Sequence, residues 1–157
     1  MTAARRLMKE YKKFISNEFY SVRYDEDDIL HWYFEIYGPI DTYYEGGIFK
    51  GEIKFPKSYP INAPKVKFFN MIHPNVYTNG DVCISILHEG SDSYGYENDI
   101  ERWSPTHNVD SILMSIISML NDPNFESPAN MTASVKWKNN PNEYKKDIYR
   151  LVAESQK

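Results

Sequence analysis

Leu30-His31-Trp32-Tyr33-Phe34-Glu35-Ile36 alternates large apolar residues with less apolar ones, the period-two pattern of a strand with one face in a core. Leu30, Trp32, Phe34 and Ile36 make that face. The pattern returns in Phe49, Gly51, Ile53 and Phe55, set against Lys50, Glu52 and Lys54, so a second amphipathic strand follows the first. Phe19 to Tyr24 supplies a strand before them, with the acidic Asp25 to Asp28 as the turn, and Val66 to Phe69 supplies one after. Gly38-Pro39 and Gly46-Gly47 bound one connecting loop, and Pro56, Pro60 and Pro64 keep regular structure out of another. Four successive strands on short connections predict an antiparallel meander.

Helical spacing flanks this sheet. Residues 2 to 17 read as a helix with Thr2 as N-cap and Leu7, Tyr11, Phe14 and Ile15 as one apolar stripe. Its other faces carry Arg5, Arg6, Lys9, Lys12 and Lys13, a pattern that ordinarily means a solvated surface. Val109, Ile112, Leu113, Ile116, Ile117 and Leu120 make residues 109 to 120 the most apolar helix, capped by Asn108 and ended by Pro123, with Met114 and Met119 as filler. Asn130 caps a short helix through Lys138. Asn140-Pro141-Asn142-Glu143 starts the last one, with proline at the first helical position and a carboxylate placed for a capping box, and Tyr144, Ile148, Leu151 and Val152 form its inner side. The class is α+β in a single domain spanning 1–157.

A chain of 157 residues is long enough to bury a core without disulfides or a structural metal. One cysteine excludes an internal disulfide, and four scattered histidines with it make no zinc spacing. The net charge of −4 and isoelectric point near 5.6 argue against nucleic acid as the main partner, since phosphate binding needs a concentrated basic face. No apolar run approaches the roughly 20 residues of a membrane span, and Met-Thr-Ala-Ala-Arg-Arg lacks an apolar signal core. A soluble, cytosolic protein without direct membrane insertion is expected.

The one thiol closes the segment His73-Pro74-Asn75-Val76-Tyr77-Thr78-Asn79-Gly80-Asp81-Val82-Cys83. Asn79-Gly80 tolerates positive φ and folds the chain back, which brings Asn75 toward the sulfur and leaves Cys83 just beyond a tight turn. A lone cysteine is usually a small buried hydrophobe, but this setting is exposed. A hydrolase would need a base to make thiolate, and His73 is in range for that, although a histidine before proline more often holds a turn. Asn75 cannot take a proton. Its amide can donate to an oxyanion as a carbonyl is attacked, an effect worth about 10²- to 10³-fold, and this suits acyl transfer from a thioester.

His73-Pro74-Asn75 followed by Cys83 resembles the active-site signature of ubiquitin-conjugating enzymes. Gly38-Pro39, Tyr44-Glu45-Gly46-Gly47, Phe55-Pro56-Lys57-Ser58-Tyr59-Pro60 with Pro64, Trp103-Ser104-Pro105 and Asp122-Pro123-Asn124 occur in the family's order and span nearly the whole chain. The run Cys83-Ile84-Ser85-Ile86-Leu87-His88, then Gly95-Tyr96-Glu97 and Glu101-Arg102-Trp103, resembles the branch with an inserted acidic loop, close to the enzymes of endoplasmic-reticulum-associated degradation. Ala63 stands where relatives often carry a second proline, and Ser127 where many carry a carboxylate. The resemblance implies that Cys83 takes ubiquitin from an activating enzyme as a thioester and passes it to a lysine of a substrate or of ubiquitin. A RING-type ligase would assist, and the chains would signal proteasomal degradation. Asn75 would stabilise the tetrahedral intermediate or hold the site loop, His73 and Pro74 would shape the turn, and Ser127 with Glu126 would gate the lysine. Arg5, Arg6 and Lys9 on the first helix, Ile61, and Pro105-Thr106 would meet the activating enzyme and ligases. From sequence alone, Ile61 is either tucked into the core or offered to a partner. No cofactor is implied, since ATP is consumed by the activating enzyme, and partners would recruit the protein to the cytosolic face of the endoplasmic reticulum. The competing classes are a non-catalytic ubiquitin-binding variant, which characteristically lacks the cysteine, and a cysteine hydrolase using His73.

Asp92, Glu97, Asp99 and Glu101 crowd the loop between the thiol and Trp103. Negative charge there attracts an incoming lysine ammonium and favours its charged form, so recruitment gains more than deprotonation. Neutralising these four as Asn or Gln is expected to preserve thioester formation and slow ubiquitin chain synthesis. The deficit should shrink as salt rises, because screening shortens the reach of exposed charges from about 8 Å near physiological ionic strength to about 3 Å at 1 M. A salt-independent deficit would mean that the loop works by shape, and unchanged synthesis at low salt that it does not act on the acceptor.

Overall fold

Strands β1 (Tyr20–Asp25), β2 (Asp28–Tyr37), β3 (Ile48–Lys54) and β4 (Lys65–Phe68) pair antiparallel in chain order, each with the next. Helix α1 (Ala3–Lys13) precedes them, and α2 (Val109–Asn121), α3 (Met131–Asn139) and α4 (Pro141–Ser155) follow. The computed structural model describes residues 2–90 and 101–157. The α+β meander is as the alternation in β2 and β3 dictates. Trp32, Phe34 and Ile36 face inward and stand opposite Ile53, Gly51 and Phe49, while Leu30, nearer the hairpin, is only half-buried. Gly51 is the gap in this face. It lies between Phe34 and Phe68 in the register, whose rings meet edge to face at 5.4 Å, and a Cβ there would lie 2.3 Å from the Phe34 ring.

The inner face of the sheet shares one core with Leu7 of α1, with Val109, Ile112, Leu113, Ile116, Ile117 and Leu120 of α2, and with Tyr144, Ile148 and Leu151 of α4. Asn108 caps α2 in a reciprocal pair with Ser111, and the Tyr20 hydroxyl donates to Asp110 at 2.6 Å, tying β1 to the first turn of α2. Met119 is buried and Met114 packs against the core. No helix among the described residues is long and apolar enough to cross a membrane.

One helix boundary and one cap differ from expectation. α1 ends at Lys13 rather than residue 17, because Asn17 accepts from the Phe19 and Tyr20 N–H groups and Val22 N–H donates to Ile15 O, turning the chain into β1. Ile15 is accordingly 48% exposed and leaves the stripe, whereas Thr2 caps the helix by accepting from Arg5 N–H. At α4 the capping box does not form. Asn140 is also the last cap of α3, donating to Lys136 O, and that double duty fixes its backbone in a conformation from which its side chain makes no cap bond.

The free edge of β4 carries the segment that ends in the thiol. Phe68 N–H donates to Gly80 O and Val82 N–H to Val66 O, at 2.9 and 3.0 Å, so residues 80–82 lie along β4 like a short fifth strand. Gly80 has φ +100°, and a Cβ would sit 2.1 Å from Phe68 O. Only glycine fits this close approach.

Candidate active site

His73, Pro74 and Asn75 form a buried joint. His73 Nδ1 accepts from Asn75 N–H at 3.0 Å, which leaves the proton on Nε2, and Nε2 donates to Met119 O at 2.8 Å in the last turn of α2. Burial lowers its pKa to about 4 against the bonds to α2 carbonyls, so the ring is neutral. Pro74 O accepts from both Ala129 N–H and Asn130 N–H, at 2.8 and 2.9 Å, anchoring the start of α3. The Asn75 side chain pairs with the Asn124 backbone in both directions, Nδ2 donating to Asn124 O at 2.9 Å and Oδ1 accepting from Asn124 N–H at 2.8 Å. This pairing uses one of the two N–H groups of the amide. With both His73 nitrogens held by backbone, the hydrolase reading loses the base it relied on.

Cys83 follows directly. Its N–H donates to Asn75 O at 2.9 Å, the last bond of the turn, and the half-buried thiol opens onto a cleft of about 550 Å³. Asn75, His88, Asp122, Asn124 and Ser127 are among its lining residues, with Glu101 and the polar face of α2. Two neighbours of the sulfur were not singled out in the sequence. His88 Nε2 lies 3.7 Å from Sγ, within hydrogen-bonding reach for sulfur, because a single 3-10 turn over Ser85–Leu87 brings the fifth residue back. The Tyr77 phenol is pushed above its usual pKa first by the negative charge of a Cys83 thiolate, then by burial and by a hydrogen bond with the sulfur. Asp122, the C-cap of α2, adds an exposed carboxylate to the cleft. Ser127 lines the cleft as well, whereas Glu126 is exposed outside that lining and donates its N–H to Asn124 Oδ1.

The described ends of the acidic stretch between Cys83 and Trp103 are pinned together. Trp103 N–H donates to His88 O, and the Arg102 guanidinium donates to Glu89 O and Gly90 O. Glu101 is exposed, while Asp92, Glu97 and Asp99 lie outside the described residues. Glu89 accepts from Ala63 N–H and Asn62 Nδ2 and so fastens the loop whose tip is Ile61. That tip is 69% exposed, which resolves the choice between core and surface. Arg5, Lys9, Pro105 and Thr106 are exposed too. Arg6 is not part of a solvated face: its guanidinium binds Glu10, Pro105 O and His107 O.

A thiol held at the end of a rigid turn, an imidazole beside it, and a cleft able to admit a side chain past amide, hydroxyl and carboxylate groups make an arrangement chemically suited to acyl transfer through sulfur. The chain matches the family described as ubiquitin-conjugating enzyme over residues 6–152, and it belongs to that family. It is 49% identical to ubiquitin-conjugating enzyme E2 15 of Schizosaccharomyces pombe, across 96% of this chain and 92% of that one. It is 52% identical to E2 14 of Arabidopsis thaliana across 84% and 80%, and 43% identical to human E2 G2 across 98% and 96%. The protein is thus a ubiquitin-conjugating enzyme, of a family that transfers ubiquitin through a thioester and works with activating enzymes and ligases.

Asn75→Ala is expected to lower the unfolding free energy by roughly 1–2 kcal/mol, since two bonds to Asn124 disappear where water still reaches the freed groups. An unchanged urea midpoint would show that the 122–130 loop is held by Pro74 alone. For His73, the unfolded chain takes up a proton near pH 6.5 and the folded chain only near 4. Between those values the unfolded state binds more protons, so this contribution is complete above pH 6.5 and falls away as pH drops toward 4. At 1.36 kcal/mol per pH unit it amounts to roughly 3 kcal/mol. The stability difference between wild type and His73→Gln should therefore shrink across that window, and a constant difference would mean that His73 is not buried neutral.

Proposed function

We propose that Cys83 is the residue that carries ubiquitin. Its thiolate attacks the thioester carbonyl presented by the activating enzyme, and collapse of the tetrahedral intermediate expels the activating enzyme's sulfur. A lysine amine then attacks the new thioester. The Cys83 thiolate leaves, the amide forms, and the amine's proton is released. The observation that carries this reading is the position of the one thiol of the chain, half-buried at the mouth of the cleft with its N–H bonded to Asn75 O.

Around it the roles follow from chemistry. His88, at 3.7 Å, can take the thiol proton. Asn75 offers its remaining amide N–H to the developing oxyanion while holding the loop at Asn124, and His73 with Pro74 keeps the turn rigid. Ser127, on the cleft wall, and Glu126, exposed just beyond that lining, flank the approach of the lysine, with Asp122 in the cleft to pair with its ammonium before the proton departs. The transfer needs no cofactor, ATP being used by the activating enzyme.

Arg5, Lys9, Ile61, Pro105 and Thr106 form the docking surface for the activating enzyme and for a RING-type ligase, with Arg6 bracing it from behind. What supports this is the exposure of Ile61 at a braced loop tip, beside a basic helix and an exposed Pro-Thr turn. The run from Cys83 to Trp103 supports the acidic-loop branch and, with it, a protein that builds polyubiquitin chains signalling proteasomal degradation. It would act in the cytoplasm and at the cytosolic face of the endoplasmic reticulum, where partners recruit it.

Incubation with activating enzyme, ATP and ubiquitin tests the assignment. Wild type is expected to form an adduct released by thiols, Cys83→Ala none, and Cys83→Ser an oxygen ester that resists thiols, because the serine alkoxide is a poorer leaving group. A thiol-sensitive adduct on the alanine variant would overturn it.

A further inference from the structure

Glu10 is an acidic side chain in the core, 6% exposed, on a helix whose Arg5, Lys9, Lys12 and Lys13 face water. Its carboxylate is met by three donors from three parts of the chain. Oε1 accepts from Val109 N–H at 2.7 Å, the first N–H of α2. Oε2 accepts from the Tyr59 hydroxyl at 2.6 Å and from Arg6 Nε at 2.9 Å. Arg6 passes the connection on, donating to Pro105 O at 3.1 Å and His107 O at 2.8 Å while its guanidinium lies 5.6 Å from the Tyr59 ring centre. Trp103 Nε1 donates to Pro60 O at 3.0 Å, closing the ring from the other side.

Tyr59 and Pro60 are the stem of the loop that presents Ile61, Pro105 begins the exposed turn with Thr106, and Arg6 and Glu10 share α1 with Arg5 and Lys9. We infer that Glu10 is a positioning residue for partner docking, the buried anion that fixes α1, the Ile61 loop and the Pro105-Thr106 turn in one relative arrangement. A carboxylate suits this place because it only accepts, and every group aimed at it donates. A neutral amide of the same size would turn an NH₂ toward Arg6 or Val109 N–H and lose the shared partner. The inference rests on these three pieces being the docking surface.

The test uses the whole protein with ubiquitin-activating enzyme, ubiquitin and ATP, and measures the charging rate against the concentration of this chain. Glu10→Gln is expected to raise KM about tenfold with kcat within twofold, and to leave discharge of the purified thioester onto free lysine within twofold. Tyr59→Phe, which removes one arm of the cluster, should raise KM about threefold by itself and serves in place of Glu10→Gln should that variant not fold. Lys9→Glu, on the exposed face, reports on the surface itself. If Lys9→Glu raises KM and neither cluster variant does, Glu10 has no positioning role. If none of the three moves KM, the docking surface is elsewhere and the inference goes with it. A fall in kcat and lysine discharge matching the rise in KM would reduce Glu10 to a residue of general stability and overturn the proposal.

Discussion

The conformation of this site depends on one short peptide whose polar groups are all turned inward. His73, Pro74 and Asn75 reach the end of α2, the loop at Asn124 and the start of α3 through side-chain and backbone hydrogen bonds, and Asn75 O receives the N–H of Cys83. The His73 contacts satisfy groups that burial would otherwise leave unpaired at a cost of about 1–3 kcal/mol each, and the part-buried bonds to Asn124 add to them. Nothing in that list supplies a base. The joint places the thiol, the Ser127 wall and the α2 face of the cleft in fixed relation, while the titratable groups His88, Tyr77 and Asp122 stand nearer the sulfur or the opening.

The strands were legible because the chain alternates so plainly. Trp32, Phe34 and Ile36 on β2 and Phe49 and Ile53 on β3 share a face whichever neighbour is considered, and boundaries moved by one or two residues at the sheet, where Asp25 and Asp28 pair as strand residues and leave Glu26-Asp27 as the turn. Helix ends were harder. The last residues of the expected first helix are claimed by β1 through Ile15 and Asn17, a competition that periodicity does not register. The Asn140 cap failed because two helices share one residue.

The site was legible at Cys83 and at the rigid turn, and partly elsewhere. Ser127 lines the cleft and Glu126 does not, a distinction between neighbouring residues that depends on the path of an irregular loop. His88 would have been reachable from the sequence had the stretch after Cys83 been read as one tight turn, since such a turn returns a residue five positions on. Glu10 gave no signal. A glutamate among five lysines and arginines reads as one half of a surface ion pair, and its burial becomes visible only when Tyr59 and Val109 converge from distant parts of the chain on the carboxylate that Arg6 already holds.

Both borders of the sheet are closed by segments that are not strands of their own. Residues 80–82 bind along β4, and at the other border Ser16 bridges to Ser21 while Ile15 and Asn17 bond to β1. A bare strand edge is a template for another chain's backbone and invites stacking of one molecule on the next. A protein that leaves an isoleucine out in water at a loop tip runs a risk of associating with itself. Along these covered stretches the backbone has few hydrogen bonds left to offer, so the sheet presents little template for strand addition by a second chain.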